Sequence, residues 1–244
     1  MRGKTDKVVN KYHVNNACII LGPMRNGTSV LMYSLYQNPE IFGLYNFAET
    51  VINNGMGDDF IKNYVPAMKS LALSTDWRHR SLFNNSLPAI AGCKIIMDRT
   101  HIPFGDKWWP TLDGCGLKII SVIRDPREVI LSLLRWQGME KRNINNWPKR
   151  KYVANFMDFW HQSVNAYQQL KENNDAVLVR HEDMCAKPEE KGLELYRWLG
   201  VVEEAEHFNK TYKEAANRMS KSEEYVKYLT PQIIESAKRI GYDL

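Results

Sequence analysis

Residues 117–135 read LKIISVIRDPREVILSLLR, and this stretch decides the fold because a short apolar run is followed at once by a helix start. The run at residues 117–123 is rich in isoleucine and valine and too short to span a membrane, so it predicts a strand buried on both faces of a parallel sheet. Asp125 is the predicted N-cap, Pro126 fits the first helical position, and Glu128 completes an Asp-x-x-Glu capping box.

Arg124 follows the predicted strand directly, and Ser132 lies eight residues further along, two turns into the predicted helix. Open α/β sheets bind ligands at the carboxyl ends of their strands, and Ser132 falls on roughly the same side of the helix as Glu128. Arg124 and Ser132 are therefore candidates for holding a phosphate group. The alternative is an arginine in a surface ion pair and a serine that faces solvent.

The composition is typical of one large α/β domain with an ample core. The 244 residues are 44% hydrophobic and 25% charged, and the formal charge of +5 favours anionic ligands without requiring nucleic acid. We find no apolar run of 18 residues and no apolar stretch typical of a secretory signal, so we expect a cytoplasmic protein with no membrane partner. The four cysteines lack metal-binding spacing, which predicts buried thiols rather than zinc ligands.

Predicted strands and helices alternate along the chain. This pattern predicts one α/β domain over residues 1–244, built on a parallel sheet with helices on both faces and opening with a P-loop-like strand, loop and helix. The predicted strands are residues 17–21, 93–97, 117–123 and 176–180, and the predicted helices cover residues 28–37, 152–171, 188–199 and 231–240 in addition to the one that begins at Pro126.

The segment GPMRNGTSVL, residues 22–31, is a second candidate site for an anion. Gly27 lets the backbone approach a ligand, Thr28 and Ser29 offer hydroxyls, and the following helix presents unpaired amide groups. Arg25 adds a permanent cation whose fork matches phosphate or sulfate oxygens. The alternative is an ordinary turn with a threonine N-cap. A nucleotide-hydrolysing P-loop has a lysine after its last glycine, and the lack of one here weakens that interpretation.

The two segments together resemble one enzyme family. Residues 25–29, Arg-Asn-Gly-Thr-Ser, resemble the 5′-phosphosulfate loop of the sulfotransferases that use 3′-phosphoadenosine 5′-phosphosulfate (PAPS), whose pattern is Lys/Arg-Ser-Gly-Thr-Thr/Ser. Residues 124–129 followed by Ser132 resemble the 3′-phosphate motif of the same family, including its arginine-to-serine spacing. Two separated motifs in the right order are far more specific than either alone. Weaker similarity continues at residues 177–184, at Pro188 and at residues 198–200.

The resemblance implies transfer of a sulfuryl group from PAPS to a hydroxyl or amine, without a metal. It implies that Thr28 and Ser29 hold the 5′-phosphate together with the loop amides, and that Arg124 and Ser132 hold the 3′-phosphate. Arg25 is then placed near the bridging oxygen, where negative charge develops as the donor leaves.

The chain also departs from the family pattern. Asn26 stands where the family usually has serine, so its contacts with the nucleotide are open. The Arg-x-Gly-x-x-Gly-Asp-Trp-Lys segment found near the end of many cytosolic members is missing. Arg218, Ser220 and Lys221 are candidates for phosphate contacts in its place, with a solvated helix face as the alternative.

Two residues are candidates for the general base. His101 lies in Arg-Thr-His-Ile-Pro, which resembles the Lys-Thr-His-Leu-Pro segment of cytosolic sulfotransferases, where histidine accepts the proton of the acceptor. An imidazole with a reference pKa of about 6.5 suits this role. Glu49, after Asn38-Pro39, resembles the glutamate of other branches, including the tyrosylprotein sulfotransferases, and needs a desolvated site. Both stay open, and Arg99 is expected to replace the family's lysine beside the transferring group.

The acceptor is left open by the sequence. Aromatic residues near cations are candidates for an acceptor pocket, namely Trp77 to Arg80, Trp108, Trp109, and Trp147 with residues 149–151. The alternative is that they are ordinary core and surface residues. A small phenol or alcohol, a sugar or a peptide fits these expectations. A P-loop kinase-like phosphotransferase is the alternative enzyme, and a non-catalytic nucleic-acid or polyanion binder is disfavoured because the charge is mixed.

Overall fold

Short apolar segments pair in parallel to form the sheet of this computed structural model, which describes residues 16–45, 95–100, 117–136, 149–217 and 223–244. In these residues the strands are β1 (Asn16–Leu21), β2 (Ile41–Tyr45), β3 (Ile95–Thr100), β4 (Lys118–Ile123) and β5 (Ala176–Arg180). Their order across the sheet is β2-β3-β1-β4-β5, and every pairing is parallel. β1 and β4 are therefore neighbours at the centre.

Among the helices of the described residues, one follows β1, two lie between β4 and β5, and four follow β5. They are α1 (Thr28–Leu35), α2 (Pro126–Trp136), α3 (Lys149–Asn173), α4 (His181–Ala186), α5 (Pro188–Leu199), α6 (Glu206–Ala216) and α7 (Pro231–Arg239), with a 3₁₀ helix at Glu223–Tyr228. None of these helices is both long enough and apolar enough to cross a bilayer.

Helices cover both faces of the sheet. Val177 and Val179 of β5 pack in the cluster formed with α1, α5 and α6, whereas Leu178 between them packs in the cluster formed with α2, α3 and α7. Because successive side chains of a strand point to opposite faces, the two clusters lie on opposite sides of the sheet. Ile119 and Ile120 of β4 are both fully buried, which explains why its sequence is continuously apolar.

The predicted α/β class is confirmed, and the observed strands match the predicted ones closely. β5 has the predicted bounds, β1 begins one residue earlier, β4 begins one residue later, and β3 continues to Thr100 rather than ending at Met97. Residues 93 and 94, where that strand was predicted to begin, lie outside the described residues. Among the helices, α1 ends at Leu35 rather than Gln37, and α3 extends beyond both predicted ends.

Several short elements were not predicted, namely β2, α4, α6 and the 3₁₀ helix. β2 is only five residues long and contains Gly43, which weakens a strand pattern. In the structure this glycine has a packing role, because a Cβ there would collide with the ring of Tyr36. Cys18 is a fully buried free thiol, as predicted, and Cys185 is a partly buried one.

The packing of α1 behind the first loop generates a stability prediction. Leu31 is fully buried in the core, whereas Tyr33, two residues later on the same helix, is 56% exposed. We expect Leu31→Ala to lower the free energy of unfolding by about 3 kcal/mol, because it leaves a cavity behind the loop. Tyr33→Ala is the matched control and should change this free energy by less than about 1 kcal/mol. Urea unfolding measures both, and equal losses would contradict the assigned packing.

Candidate active site

Two loops that are distant in sequence meet at the carboxyl edge of the sheet. Because β1 and β4 are adjacent and parallel, the segment after Leu21 and the segment after Ile123 emerge side by side. Between them lies a cavity of about 790 Å³. Its lining residues are Met24, Arg25, Gly27, Thr28, Ser29, Val30, Arg99, Arg124, Glu128, Ser132, Arg135, Trp136, His181 and Ala215.

Direct hydrogen bonds join the two segments. The Nε of Arg25 donates to Oγ of Ser132 at 3.0 Å. The backbone N–H of Arg124 donates to Oδ1 of Asn26 at 2.8 Å. The predicted phosphosulfate loop and the predicted 3′-phosphate motif thus form one structural unit with a shared cavity.

The first loop has the backbone shape of an anion cradle. Arg25 and Gly27 both have positive φ angles, of 69° and 92°, and Gly27 is the N-cap of α1. A glycine N-cap has no side chain to bond the amide groups of the first helical turn, so these amides can serve a ligand. Thr28 is therefore the first helical residue and not the N-cap. It is buried, and its Oγ1 accepts a hydrogen bond from Nε of Arg99 at 3.3 Å.

Asn26 has a role that its motif position did not reveal. Its side chain is fully buried, and its Nδ2 donates to the carbonyl groups of Pro23 and Met24, both at 3.2 Å. Its Oδ1 accepts from the Arg124 amide, so the carboxamide shapes the loop and ties it to β4. Asn26 is not among the residues that line the cavity, and its predicted contact with the nucleotide stays a prediction.

Arg124 lines the cavity and is held by contacts of both its side chain and its backbone. Its Nη2 donates to Oε2 of Glu128 at 3.0 Å, and its carbonyl accepts from the indole Nε1 of Trp160 at 2.8 Å. Its Nε is buried and has no hydrogen-bond partner among the described residues. A buried unpaired donor is unfavourable, so an anion in the cavity would stabilise this guanidinium.

The capping box predicted at the start of α2 is wrong in one respect. Asp125 is the N-cap, as predicted, because its Oδ1 accepts from the backbone N–H of Arg127 at 2.8 Å. Glu128, however, pairs with Arg124, and the Asp125 N–H donates instead to Oε1 of Glu182 at 3.0 Å. A charge-assisted bond to a guanidinium is stronger than a bond to a neutral amide, which explains the preference of Glu128.

His181 lines the cavity and was missed by the sequence analysis as a site residue. It is 4% exposed, and its Nδ1 is buried without a hydrogen-bond partner in the described part of the chain. A Cβ at Gly27 would collide with this imidazole, so the loop needs a glycine for space as well as for its φ angle. Burial, and then the charge of Arg124, lowers the pKa of His181 to about 4. Its position directly after β5 was the available signal, because that is a strand's carboxyl end.

Arg135 and Trp136, in the last turn of α2, were also missed. They follow Ser132 by three and four residues, the spacing that places side chains on one helix face, and this spacing was the available signal. Trp136 is 55% exposed, and the guanidinium carbon of Arg25 lies 6.0 Å from its ring centroid. The lining named above contains four arginines and one carboxylate, so the cavity favours an anion.

Apart from residues 149–151, which form the start of α3, the remaining predicted site residues lie outside the described residues. These are both candidate bases, His101 and Glu49, the proposed phosphate contacts Arg218, Ser220 and Lys221, and the candidate acceptor residues Trp77, Trp108 and Trp109. Their roles stay predictions. Within the described residues, no three His, Cys, Asp or Glu side chains cluster as metal ligands would.

Comparison with known proteins identifies the family. The model of the sulfotransferase domain matches residues 15–240. The chain belongs to the sulfotransferase family. This confirms the resemblance found in the two motifs. A curated relative, Sulfotransferase 1A1 of Mus musculus, is 25% identical over 108 residues, and the match covers 42% of this chain and 37% of the mouse protein.

Solved sulfotransferase structures share the fold. The sulfotransferase from Alicyclobacillus acidocaldarius has a TM-score of 0.56 at 14% identity, and the alignment covers 94% of this chain and 97% of that chain. Mouse sulfotransferase SULT7A1, solved in complex with PAP, has a TM-score of 0.51 at 13% identity, and the alignment covers 96% of this chain and 86% of the mouse chain. At these identities the likeness concerns the α/β fold alone.

The burial of His181 generates a pH prediction. The pKa falls from 6.5 in the unfolded chain to about 4 in the folded one, so between these values only the unfolded state binds the proton. Acid therefore destabilises the fold, by about 2 kcal/mol between roughly pH 7.5 and pH 5. Over this interval we expect the free energy of unfolding of His181→Gln to fall by about 2 kcal/mol less than that of the wild-type protein. Urea unfolding at both pH values measures it, and parallel losses in the two proteins would refute the assignment.

Proposed function

We propose that this chain transfers a sulfuryl group from PAPS to a hydroxyl or amine acceptor. The observation that carries the proposal is the pair of hydrogen bonds that joins the two phosphate motifs across one arginine-rich cavity. A volume of about 790 Å³ lies in the range of small-molecule and cofactor sites. Membership of the sulfotransferase family and the fold shared with a PAP-bound mouse enzyme support the same donor.

The proposal divides the nucleotide between the two segments. The amides at the start of α1, with Thr28 and Ser29, would hold the 5′-phosphate, because a helix N-terminus stabilises an anion. Arg124 and Ser132 would hold the 3′-phosphate, because both line the cavity and a guanidinium forms charge-assisted hydrogen bonds with phosphate. PAPS is a co-substrate in this scheme, and no metal takes part.

The proposed reaction is an in-line displacement at sulfur. The acceptor oxygen or nitrogen bonds to the sulfur, the bond from sulfur to the bridging oxygen of the 5′-phosphate breaks, and 3′,5′-diphosphoadenosine (PAP) leaves. Arg25 and Arg99 would stabilise the negative charge that develops on the bridging oxygen. The acceptor's proton passes to a general base, for which His101 and Glu49 are the candidates. A small molecule, a sugar or a peptide remains the proposed range of acceptors.

Titration calorimetry of the wild-type chain with PAP and with ATP tests the donor directly. We expect tight binding of PAP and weak binding of ATP, because the second motif is proposed to hold a 3′-phosphate that ATP lacks. Tight ATP binding together with weak PAP binding would replace the proposal with a kinase-like phosphotransferase.

The role of Arg124 generates a binding prediction. We expect Arg124→Ala to weaken PAP binding by roughly 10- to 100-fold, the range for a lost hydrogen bond between charged groups. Arg197→Ala is the matched control, because Arg197 pairs with Glu203 at the surface and does not line the cavity. Unchanged calorimetric affinity in Arg124→Ala would count against the 3′-phosphate site.

The ion pair of Arg124 requires a second control. Removing the guanidinium takes the ion pair with Arg124 away from the buried carboxylate of Glu128, and the negative charge of this carboxylate at the cavity wall repels phosphate. The double variant Arg124→Ala with Glu128→Gln removes that repulsion. We expect PAP binding to stay weak in the double variant. Full recovery of affinity would show that Arg124 only neutralises Glu128 and does not bind the nucleotide.

The choice of base generates a kinetic prediction. We expect either His101→Ala or Glu49→Gln to lower turnover by at least about 100-fold while PAP affinity is retained, because a general base acts only in the chemical step. PAP release in the presence of a panel of phenols, sugars and tyrosine-containing peptides measures turnover. Full activity in both variants would rule out the proposed mechanism.

A further inference from the structure

Arg124 and Asp125 are fixed by hydrogen bonds from three separate elements. Asn26 of the first loop binds the Arg124 N–H, and Trp160 of α3 binds the Arg124 carbonyl at 2.8 Å. Glu182 of α4 binds the next amide along, the N–H of Asp125, at 3.0 Å. These bonds set the position of the backbone from which the guanidinium of Arg124 reaches into the cavity.

Glu182 is in turn held by a residue more than fifty positions away. The hydroxyl of Tyr242 donates to Oε2 of Glu182 at 2.6 Å, and it lies 3.4 Å from the carbonyl oxygen of Ile123, the residue before Arg124. Tyr242 is only 6% exposed. One carboxylate thus links the Tyr242 hydroxyl to the Asp125 amide, with one oxygen for each.

Residues 241–243 are anchored to the same region by two arginines. Arg180 donates from Nη1 to the carbonyl of Gly241 at 2.7 Å, and its guanidinium carbon lies 4.7 Å from the centre of the Tyr242 ring. Arg127 donates to the carbonyl of Asp243 at 3.2 Å and pairs with Asp125 at 2.6 Å. The segment therefore contacts the end of β5 and the first turn of α2.

We propose that Glu182 and Tyr242 are positioning residues for the 3′-phosphate site. They hold the Arg124–Asp125 backbone at the distance from the first loop that nucleotide binding requires. Neither residue lines the cavity, so they act through Arg124 and do not touch the donor. The expected effect of these two residues on nucleotide binding rests on the proposed function. Their expected effect on the Arg124–Asp125 backbone does not.

The first test compares nucleotides with and without a 3′-phosphate. Tyr242→Phe keeps the ring on Arg180 and removes only the hydroxyl that holds Glu182. We expect it to weaken PAP binding by about five- to tenfold and 5′-AMP binding by less than about twofold. Tyr33→Phe, which removes a hydroxyl from an exposed tyrosine of α1, is the matched control and should change neither affinity.

Substitutions of Glu182 separate a positioning role from general stability. Glu182→Gln keeps an oxygen for the Asp125 amide and should retain PAP affinity to within about threefold, whereas Glu182→Ala should lose about tenfold or more. Equal loss of PAP and 5′-AMP affinity in Glu182→Ala and Tyr242→Phe would overturn the proposal, because it would indicate general destabilisation of the site.

The second test does not depend on any nucleotide. We expect Tyr242→Phe and Glu182→Ala to speed hydrogen exchange of the Asp125 amide, while exchange within β1 stays unchanged. Unchanged exchange at Asp125 would overturn the inference. If wild type binds no PAP, the proposed donor is wrong, and the exchange result alone then decides whether Glu182 and Tyr242 position this backbone.

Discussion

The hydrogen bond from the Arg124 amide to the side chain of Asn26 is the constraint on which the site depends. A carboxamide has two donor hydrogens and an acceptor oxygen, and Asn26 uses its donors on two carbonyls of its own loop. Its oxygen then fixes that loop against the end of β4. The serine usual at this position in the family has a single O–H donor, so one serine cannot make all of these contacts. The residue that departs from the family pattern therefore makes one of the two hydrogen bonds that join the motifs.

The strand register explains why this bond can form. Leu21, the last residue of β1, lies beside Ser121 of β4, and β4 continues for two more residues. Arg124 therefore emerges three residues beyond the level at which β1 ends, beside the turn of the first loop. A parallel pairing of neighbouring strands is required for this arrangement, because an antiparallel partner would end at the opposite edge of the sheet. The strand order thus brings two motifs that are distant in sequence together at one cavity.

The sequence predicted elements with strong local signals and missed those that depend on tertiary contacts. β1, β4 and β5 are runs of isoleucine, valine and leucine, so their bounds were predicted to within one residue. α6 buries only Phe208 and Tyr212, a pattern too sparse to show a helical period. His181 was missed because the sequence placed it at the end of a predicted strand but did not show that this strand, β5, lies beside β4. The pairing of Glu128 was predicted wrongly because Arg124 and the Asp125 amide both lie within its reach, and spacing alone does not rank them.

The charged and titratable side chains that line the cavity differ in how they contribute to binding an anion. Glu128 balances the charge of Arg124, so this arginine contributes directed hydrogen bonds more than net positive charge. Arg25, Arg99 and Arg135 also line the cavity, and an arginine side chain is a permanent cation. His181 adds no charge near neutral pH, because burial and the neighbouring Arg124 keep its pKa at about 4. The attraction of the described lining for an anion therefore stays constant across the neutral range. Within the described lining, His181 is therefore not a source of pH dependence in that range.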